Sequence, residues 1–415
     1  MQKNISIANH QHPHTGGMPQ GPDDAVFSFD PLSAVPPVQG DLAIRILAEE
    51  YQDVYLDLAR TDTDALWQKL SEHAAPSAPP EPAAEQTVPP APAPHKRSDT
   101  KVSAKTCLRE EIPLATVAYD KAVACVRKLM AYASINRLFT SAVDEAVNGI
   151  VDSLKRNADA FLCLPRLRQR EHYAYTHSVN VAALLAAYAL HSGKDRETAV
   201  SYALAGIFHD LGKALLPVSL LCARRRLSET ESALVKRHPM LGCELLAGLP
   251  GVRSEILMAA LEHHERYDGS GYPKGISGDS ISEIGHLSAI ADSYDAISSR
   301  RPYKGALLPH KTLGVMYQMR QKQFHPELIE KFVRMVGVYP VGSVVELADG
   351  YRGVVTTSNP RNPARPVVTL SMDSGGRPMP LHECDLAKES VADISRCLSP
   401  EAAGITPAQV MGLKS

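Results

Sequence analysis

Residues 201–213 read SYALAGIFHDLGK, an apolar run of helical character that ends on His209 and Asp210. Burying an ionisable pair at the end of an apolar helix is unfavourable unless a partner compensates it. Adjacent helix positions differ by about 100° in direction, because the α-helix has about 3.6 residues per turn. The two side chains can therefore reach around one cation, or the carboxylate can lie between two cations.

A second ionisable pair, His263-His264, follows the apolar segment 256–261. Neutral imidazole is a good ligand for divalent iron, manganese, nickel or zinc. The seven cysteines include no C-x-x-C pair, so we expect a site of nitrogen and oxygen ligands only. A single histidine is more often a surface or hydrogen-bonded residue, and we interpret six others in that way: His172, His191, His286, His310, His325 and His382.

Apolar residues at three- and four-residue steps predict a long helical region over about 115–340. Its helical patterns cover 173–193, 196–211, 228–247, 251–265, 281–300, 309–323 and 326–336. Beyond Tyr339 the sequence pattern is no longer helical. Short strands are predicted at 343–347, 353–357 and 366–370. The predicted fold class is therefore mainly α, a helical bundle with a small C-terminal β appendage and a disordered, Pro-rich N-terminal region.

The rest of the chain divides by composition. Residues 1–38 are rich in His, Pro, Gly and Gln, which is typical of a disordered tail. Residues 39–72 form a small patterned segment, either strands or a short helix and strand, that would suit a truncated regulatory domain. Residues 73–104 are an Ala/Pro-rich linker. The remaining predicted units are lead-in helices at 105–164, the main helical domain at 165–340, the β appendage at 341–386 and a C-terminal tail at 387–415.

Bulk properties exclude several classes of protein. The 415-residue chain has a net charge of −2, so no global positive field attracts nucleic acid or anionic lipid. The longest apolar stretch, Val181–Leu190, is about half of the ~20 residues that span a bilayer. Scattered cysteines argue against a disulfide framework. We expect a cytoplasmic protein with no membrane anchor and no nucleic-acid partner.

Further motifs accompany the two histidine pairs. Lys213 places an ammonium group about one turn beyond Asp210, and the Gly-rich segment 268–275 must be a loop whose amides can face an anion. Such a loop alone is more often an ordinary turn. The motifs follow one another in a fixed order: His177-Ser-Val-Asn-Val, His209-Asp-Leu-Gly-Lys, His238, His263-His-Glu-Arg-Tyr-Asp-Gly-Ser-Gly-Tyr-Pro, Ala291-Asp-Ser-Tyr-Asp-Ala and Arg301-Pro-Tyr-Lys.

With these motifs, residues 165–340 resemble the HD-GYP family of the HD superfamily. The resemblance implies a cyclic di-GMP phosphodiesterase that holds two or three metal ions, commonly iron or manganese, and releases pGpG or GMP. It implies catalytic roles for His209, Asp210 and Lys213. It further implies metal ligation by His177, His209, Asp210, His238, His263, His264 and Asp292, with Asp210 as the bridge. Substrate contacts would come from Lys213, Gly271, Tyr272, Pro273, Arg301 and Lys304.

Two positions depart from the family pattern. Relatives with three metal ions have a glutamate where this chain has Tyr173, so we predict two ions. Relatives often have arginine where this chain has His286.

The expected reaction is attack on phosphorus by a hydroxide that two metal ions activate. A different interpretation makes the domain a catalytically weak sensor of cyclic di-GMP, or a scaffold for partners such as diguanylate cyclase domains. A third, an HD hydrolase of another nucleotide, conflicts with the Gly-Tyr-Pro loop.

Overall fold

The computed structural model describes residues 106–131, 141–167, 173–221, 223, 225–249, 251–299, 308–388 and 393–413. The tail predicted at 1–38, the segment at 39–72 and the linker at 73–104 lie outside these described residues. Within them, the fold is mainly helical with a small C-terminal antiparallel sheet, which confirms the predicted fold class.

The helices begin with two long lead-in helices and continue through the main domain into the C-terminal region. The α-helices are α1 (Leu108–Ala131), α2 (Ser141–Leu162), α3 (Leu164–Leu167), α4 (Tyr173–His191), α5 (Arg196–Phe208), α6 (Val218–Leu221), α7 (Glu229–Val235), α8 (His238–Ala247), α9 (Ser254–Glu262), α10 (Glu283–Ser298), α11 (Pro309–Gln318), α12 (Pro326–Val336), α13 (Pro400–Ala403) and α14 (Pro407–Val410). Short 3₁₀ helices cover Leu211–Leu215 and Gly278–Ser280.

Helix α4 forms the centre of the main domain. Its residues from His177 to Ala189 are all buried, as expected for a helix that is apolar around its whole circumference. Helix α5 packs closely against it, because a Cβ atom at Gly206 would lie 2.4 Å from the Cα of Ala182. The side chain of Asp195 caps α5 by accepting a hydrogen bond from the backbone nitrogen of Thr198. The close packing of α5 against α4 therefore fixes the position of the C-terminal end of α5.

Some predicted helix boundaries need correction. The pattern at 228–247 is two helices, α7 and α8, separated at Lys236 and Arg237. Pro239 lies in the first turn of α8, where its missing N–H costs nothing, and so marks a new helix start. Helix α5 ends at Phe208, so His209 and Asp210 lie in the turn that follows it.

The C-terminal sheet has the strand order β4-β3-β2-β1-β5. Every neighbouring pair is antiparallel, with Val344 opposite Val354 and Val368 opposite Cys384. The strands are β1 (Val344–Leu347), β2 (Arg352–Thr357), β3 (Val367–Met372), β4 (Pro378–Asp385) and β5 (Ile394–Leu398).

Two of these strands were not predicted, and the expected tail at 387–415 is wrong. Strand β5 pairs with β1, and α13 and α14 follow it. Both missed strands lie at the edges of the sheet, where one-sided burial gives little apolar alternation. In β4 most side chains are exposed, and its sequence contains Pro378 and Pro380.

The sheet packs against the lead-in helices through a second apolar core. Ile112 of α1 and Ala160 of α2 are buried in that core with Val344 and Val345. Arg166 adds a polar link, since its Nη1 donates to the backbone oxygen of Val341 at 3.1 Å. None of the described helices has the length and hydrophobicity needed to cross a bilayer.

Candidate metal centre

The carboxylate of Asp210 lies between two groups of histidines. Its Oδ2 atom is 3.4 Å from His209 Nε2 and 3.9 Å from His177 Nε2. Its Oδ1 atom is 3.3 Å from His238 Nε2 and 3.5 Å from His263 Nε2. Because each oxygen faces a different group, this one carboxylate has the geometry to bridge two cations.

The side chains come from four separate parts of the helical domain. Within each of two groups, one ligand atom per residue lies within 4.8 Å of the others, and the groups are Asp210, His238, His263 and His264, and His177, His209 and Asp210. Helix α4 supplies His177, the turn after α5 supplies His209 and Asp210, α8 begins with His238, and His263 and His264 follow the end of α9.

Backbone carbonyls orient three of the histidine rings. His209 Nδ1 is 2.8 Å from the oxygen of Gly206, and His238 Nδ1 is 2.8 Å from that of Val235. His263 Nδ1 is 3.0 Å from the oxygen of Ala260. A carbonyl oxygen only accepts, so Nδ1 carries the proton in each ring and Nε2 keeps its lone pair. All three lone pairs then face Asp210, as metal ligation requires.

Two buried polar atoms at the centre of the cluster support a cation site. Asp210 Oδ1 and His209 Nε2 have no hydrogen-bond partner of acceptable geometry among the described residues. Buried polar atoms are normally paired, and an orphaned one costs about 1–3 kcal/mol. A cation would satisfy both atoms. The donor set of imidazole nitrogens and carboxylate oxygens suits divalent iron, manganese or zinc.

Burial and neighbouring charges set the protonation of the cluster. Burial lowers the pKa of His238 to about 4 and also lowers the pKa of His263. The same effect holds the pKa of His264 well below its ordinary value. Burial would raise the pKa of Asp210, but Lys213 and His209 outweigh it and hold that pKa well below its usual range. His238, His263 and His264 are therefore neutral and Asp210 is ionised at pH 7, the forms that bind metals.

His177 differs from the other histidines because carboxylates surround it. Its Nε2 is 3.0 Å from Asp292 Oδ1, and its Nδ1 is 2.8 Å from Asp295 Oδ2. Burial lowers the pKa of His177, but Asp292 and Asp295 together raise it to about 9. Binding of a cation at Nε2 would displace that proton.

Asp295 is a contributor that the sequence analysis missed. Its carboxylate holds the ring of His177 and also accepts a hydrogen bond of 2.8 Å from Asn180 Nδ2. The available signal was spacing, because Asp295 is three residues after Asp292 on α10 and so shares its helix face. A carboxylate that orients a ligating imidazole is a common feature of metal sites.

The Gly-Tyr-Pro loop lies directly against the cluster. The ring of Tyr272 stacks on His264, with 4.6 Å between ring centroids and 25° between planes. The backbone nitrogen of Tyr272 donates to the oxygen of His264 at 3.1 Å. A Cβ atom at Gly271 would lie 2.4 Å from the nitrogen of Arg266, so only glycine fits there. Lys213 is also close, with its Nζ 2.7 Å from Asp210 Oδ2.

Other predicted residues are less informative. Arg301 and Lys304 lie outside the described residues, so their substrate contacts stay predictions. Tyr173 opens α4, and the two-ion count inferred from it also stays a prediction. His286 is buried, with its Nε2 3.1 Å from the oxygen of Gly278, and burial lowers its pKa to about 4.

Comparison with known proteins follows the same division of the chain. Residues 161–328 match the HD domain family, and residues 344–404 match the KOW domain associated with HD domains. A cyclic di-GMP phosphodiesterase of Pseudomonas aeruginosa is 34% identical over 292 residues, which cover 70% of each chain. The chain belongs to the HD-GYP family. The C-terminal sheet of this HD-GYP protein lies within the residues that match the KOW domain.

Two further relatives match about a third of this chain. A cyclic di-GMP phosphodiesterase response regulator of Xanthomonas campestris is 40% identical over 132 residues, 32% of this chain and 35% of the relative. A 3'3'-cGAMP-specific phosphodiesterase of Vibrio cholerae is 33% identical over 147 residues, 35% of this chain and 34% of the relative. The named substrates of HD-GYP relatives thus include two cyclic dinucleotides.

Proposed function

We propose that this HD-GYP protein hydrolyses cyclic di-GMP to pGpG, with GMP as a further product. The observation that carries the proposal is the position of Asp210, whose two oxygens face two separate groups of imidazoles. The name of the Pseudomonas relative, which matches 70% of the chain, supports the choice of substrate.

The proposed cofactor is a pair of divalent ions, iron or manganese. His177, His209, Asp210 and Asp292 would hold one ion, and Asp210, His238, His263 and His264 the other. When bound, two such ions would lower the pKa of a water molecule and neutralise charge on the phosphate. Support comes from the all-nitrogen and oxygen donor set and from the unpaired atoms Asp210 Oδ1 and His209 Nε2.

The chain's own residues would position and stabilise the substrate. The Lys213 side chain is 13% exposed and forms an ion pair with Asp210. Its ammonium group can therefore add positive charge beside a bound phosphate. Tyr272 offers an aromatic ring beside His264, with Lys236 Nζ 5.3 Å from its ring centroid. Arg301 and Lys304 are proposed as further phosphate contacts. Asp295 keeps His177 oriented through its Nδ1 hydrogen bond.

The competing interpretation is a sensor or scaffold that binds cyclic di-GMP without cleaving it. Every proposed metal ligand is present, and a domain that had lost catalysis would be expected to lose some of them. Diguanylate cyclase domains as partners, and a cytoplasmic location, stay predictions.

The decisive experiment is product analysis on the full chain, purified anaerobically and loaded with Mn²⁺ or Fe²⁺. Cyclic di-GMP and 3'3'-cGAMP are supplied separately, and the products are separated by chromatography. We expect pGpG from cyclic di-GMP at a rate well above that of 3'3'-cGAMP cleavage. Binding of cyclic di-GMP without any product would support the sensor, and preference for 3'3'-cGAMP would overturn the proposed substrate.

Matched variants identify the site in the same assay. His209→Ala combined with Asp210→Ala should abolish hydrolysis while the helical circular-dichroism spectrum persists. His382→Ala, at an exposed position on β4, should leave the rate unchanged. Wild-type hydrolysis by the double variant would refute the assignment of the metal centre.

A further inference from the structure

A line of buried hydrogen bonds joins the first lead-in helix to the metal centre. The hydroxyl of Tyr119, on α1, donates to Asn180 Oδ1 at 2.8 Å, and Asn180 Nδ2 donates to Asp295 Oδ1 at 2.8 Å. The other carboxylate oxygen of Asp295 is 2.8 Å from Nδ1 of His177, a proposed metal ligand. These four residues, which come from three helices, are called the Tyr119 network below.

Helical spacing explains why three of these side chains meet. His177 and Asn180 are three residues apart on α4, so they share one face of that helix. Asp292 and Asp295 share one face of α10 in the same way. The two faces lie against each other, with His177 Nε2 3.0 Å from Asp292 Oδ1. The metal ligands and the residues that hold them are therefore built on the same pair of helices, and Tyr119 reaches this pair from α1.

The donors and acceptors of the network fit one arrangement. An ionised carboxylate only accepts hydrogen bonds, so Asp295 faces the NH₂ group of Asn180, and the amide oxygen faces Tyr119. The Tyr119 hydroxyl then donates to that oxygen. By the same rule, His177 carries a proton at Nδ1, where Asp295 accepts it, and Nε2 is the nitrogen left for a cation.

Burial makes each bond of the network important. Tyr119, Asn180 and Asp295 are each 4% exposed, and His177 is 5% exposed. Bulk water therefore has little access to replace a lost partner, and a buried polar atom without one is costly. The Tyr119 ring also contacts Phe161 of α2, with 5.8 Å between ring centroids. Tyr119→Phe would keep that ring contact and remove the hydroxyl alone.

We propose that Tyr119 is a positioning residue for the metal ion that His177 would hold. By holding Asn180 and, through it, Asp295, the Tyr119 hydroxyl restricts the orientation of the His177 ring. The lead-in helix α1 is then part of the support of the metal centre, although it supplies none of the proposed ligands. This role rests on the proposed metal centre.

Titration with Mn²⁺, followed by electron paramagnetic resonance of the free ion, measures the number and affinity of bound ions without catalysis. Substitution of a residue that orients a ligating histidine typically costs about 10–100-fold in metal affinity. We expect Asp295→Asn to fall in that range for one of the two ions. Tyr119→Phe acts two hydrogen bonds further away, so we expect it to weaken the same ion about 3–10-fold. Asn180→Ala should have an intermediate effect.

A second buried hydrogen bond of α1 provides the control. Ser153 Oγ donates to Glu111 Oε1 of α1 at 2.7 Å, and both residues are fully buried. Ser153→Ala should loosen α1 without touching the Tyr119 network, so its Mn²⁺ affinity should match that of the wild type. Circular dichroism checks that each variant is folded. An equal loss of Mn²⁺ affinity in Ser153→Ala and Tyr119→Phe would point to the general stability of α1 and overturn the positioning role.

A double-mutant cycle tests whether the effect passes through Asp295. Residues in one hydrogen-bond network are not additive, so Tyr119→Phe should have little further effect on Mn²⁺ affinity in the Asp295→Asn background. If Asp295→Asn does not fold, Asn180→Ala provides the background instead. Full additivity, or an unchanged affinity in Tyr119→Phe alone, would overturn the role of Tyr119 and leave the metal centre intact. A wild-type protein that binds no Mn²⁺ would overturn the metal centre itself, and the role of Tyr119 with it.

Discussion

Replacing Gly212 with alanine should disturb the metal centre by forcing two backbones apart. Gly212 lies in the 3₁₀ helix that crosses α8. A Cβ atom there would be 2.0 Å from the backbone oxygen of His238 and 2.5 Å from the nitrogen of Gly242. Real Cβ contacts are essentially never shorter than 3.0 Å. The segments would therefore have to separate by about 1 Å, since a packed interior has no spare space.

The expected magnitude follows from what that separation moves. His238 Nε2 is 3.3 Å from Asp210 Oδ1, and Gly212 is only two residues from Asp210. Overpacking costs about 1–3 kcal/mol of unfolding free energy. A misplacement of about 1 Å at an active site can lower a rate about 100-fold. We expect Gly212→Ala to show both losses, the second in kcat/KM for cyclic di-GMP.

The assay combines urea unfolding with initial rates in Mn²⁺, and a second glycine provides the control. Gly314 lies in α11, where a Cβ atom would meet nothing within 4 Å. Gly314→Ala should therefore leave the rate unchanged and raise stability by about 0.5–1 kcal/mol. Wild-type stability and rate in Gly212→Ala would refute the argument that this close approach positions His238.

Three further outcomes follow from single residues. Burial lowers the pKa of His177, but its carboxylate neighbours raise that pKa to about 9. Binding of Mn²⁺ at pH 7 to the chelator-treated protein should therefore release about one proton. Calorimetry in several buffers measures this release, and a binding enthalpy that does not vary with the buffer would contradict it. Burial raises the pKa of Glu262 to about 7. The free energy of unfolding of the metal-free protein should therefore fall as pH rises from about 4.5 to 7. In urea titrations at pH 8, Glu262→Gln should raise that free energy by at most about 3 kcal/mol. Tyr272→Phe keeps the ring stacked on His264 and should preserve the hydrolysis rate, whereas Tyr272→Ala should lower it up to about tenfold.

The helical fold and the set of candidate ligands could be predicted because their signals are local. Helix α12 follows its predicted bounds at 326–336, since its apolar residues recur on one face between two helix breakers. The histidine pairs stood out because ionisable groups at the ends of apolar helices need compensation. Their convergence on Asp210 depended on the family resemblance, because no spacing argument places α4, α8 and α9 side by side.

The features that were missed depend on tertiary contacts. Asp295 gains its role only when α10 lies against His177 of α4. Strands β4 and β5 are recognised by their pairing with β3 and β1, since their own side chains are largely polar or exposed. Periodicity within one segment carries none of this information.

Counting metal ions per chain tests most directly whether Asp210 bridges two ions between two groups of imidazoles. Elemental analysis of anaerobically purified protein should give two ions for the wild type and one each for His177→Ala and His238→Ala. Asp210→Ala should lose tight binding of both ions, while His382→Ala should keep two. A single ion in the wild type, or two ions retained in Asp210→Ala, would contradict the account.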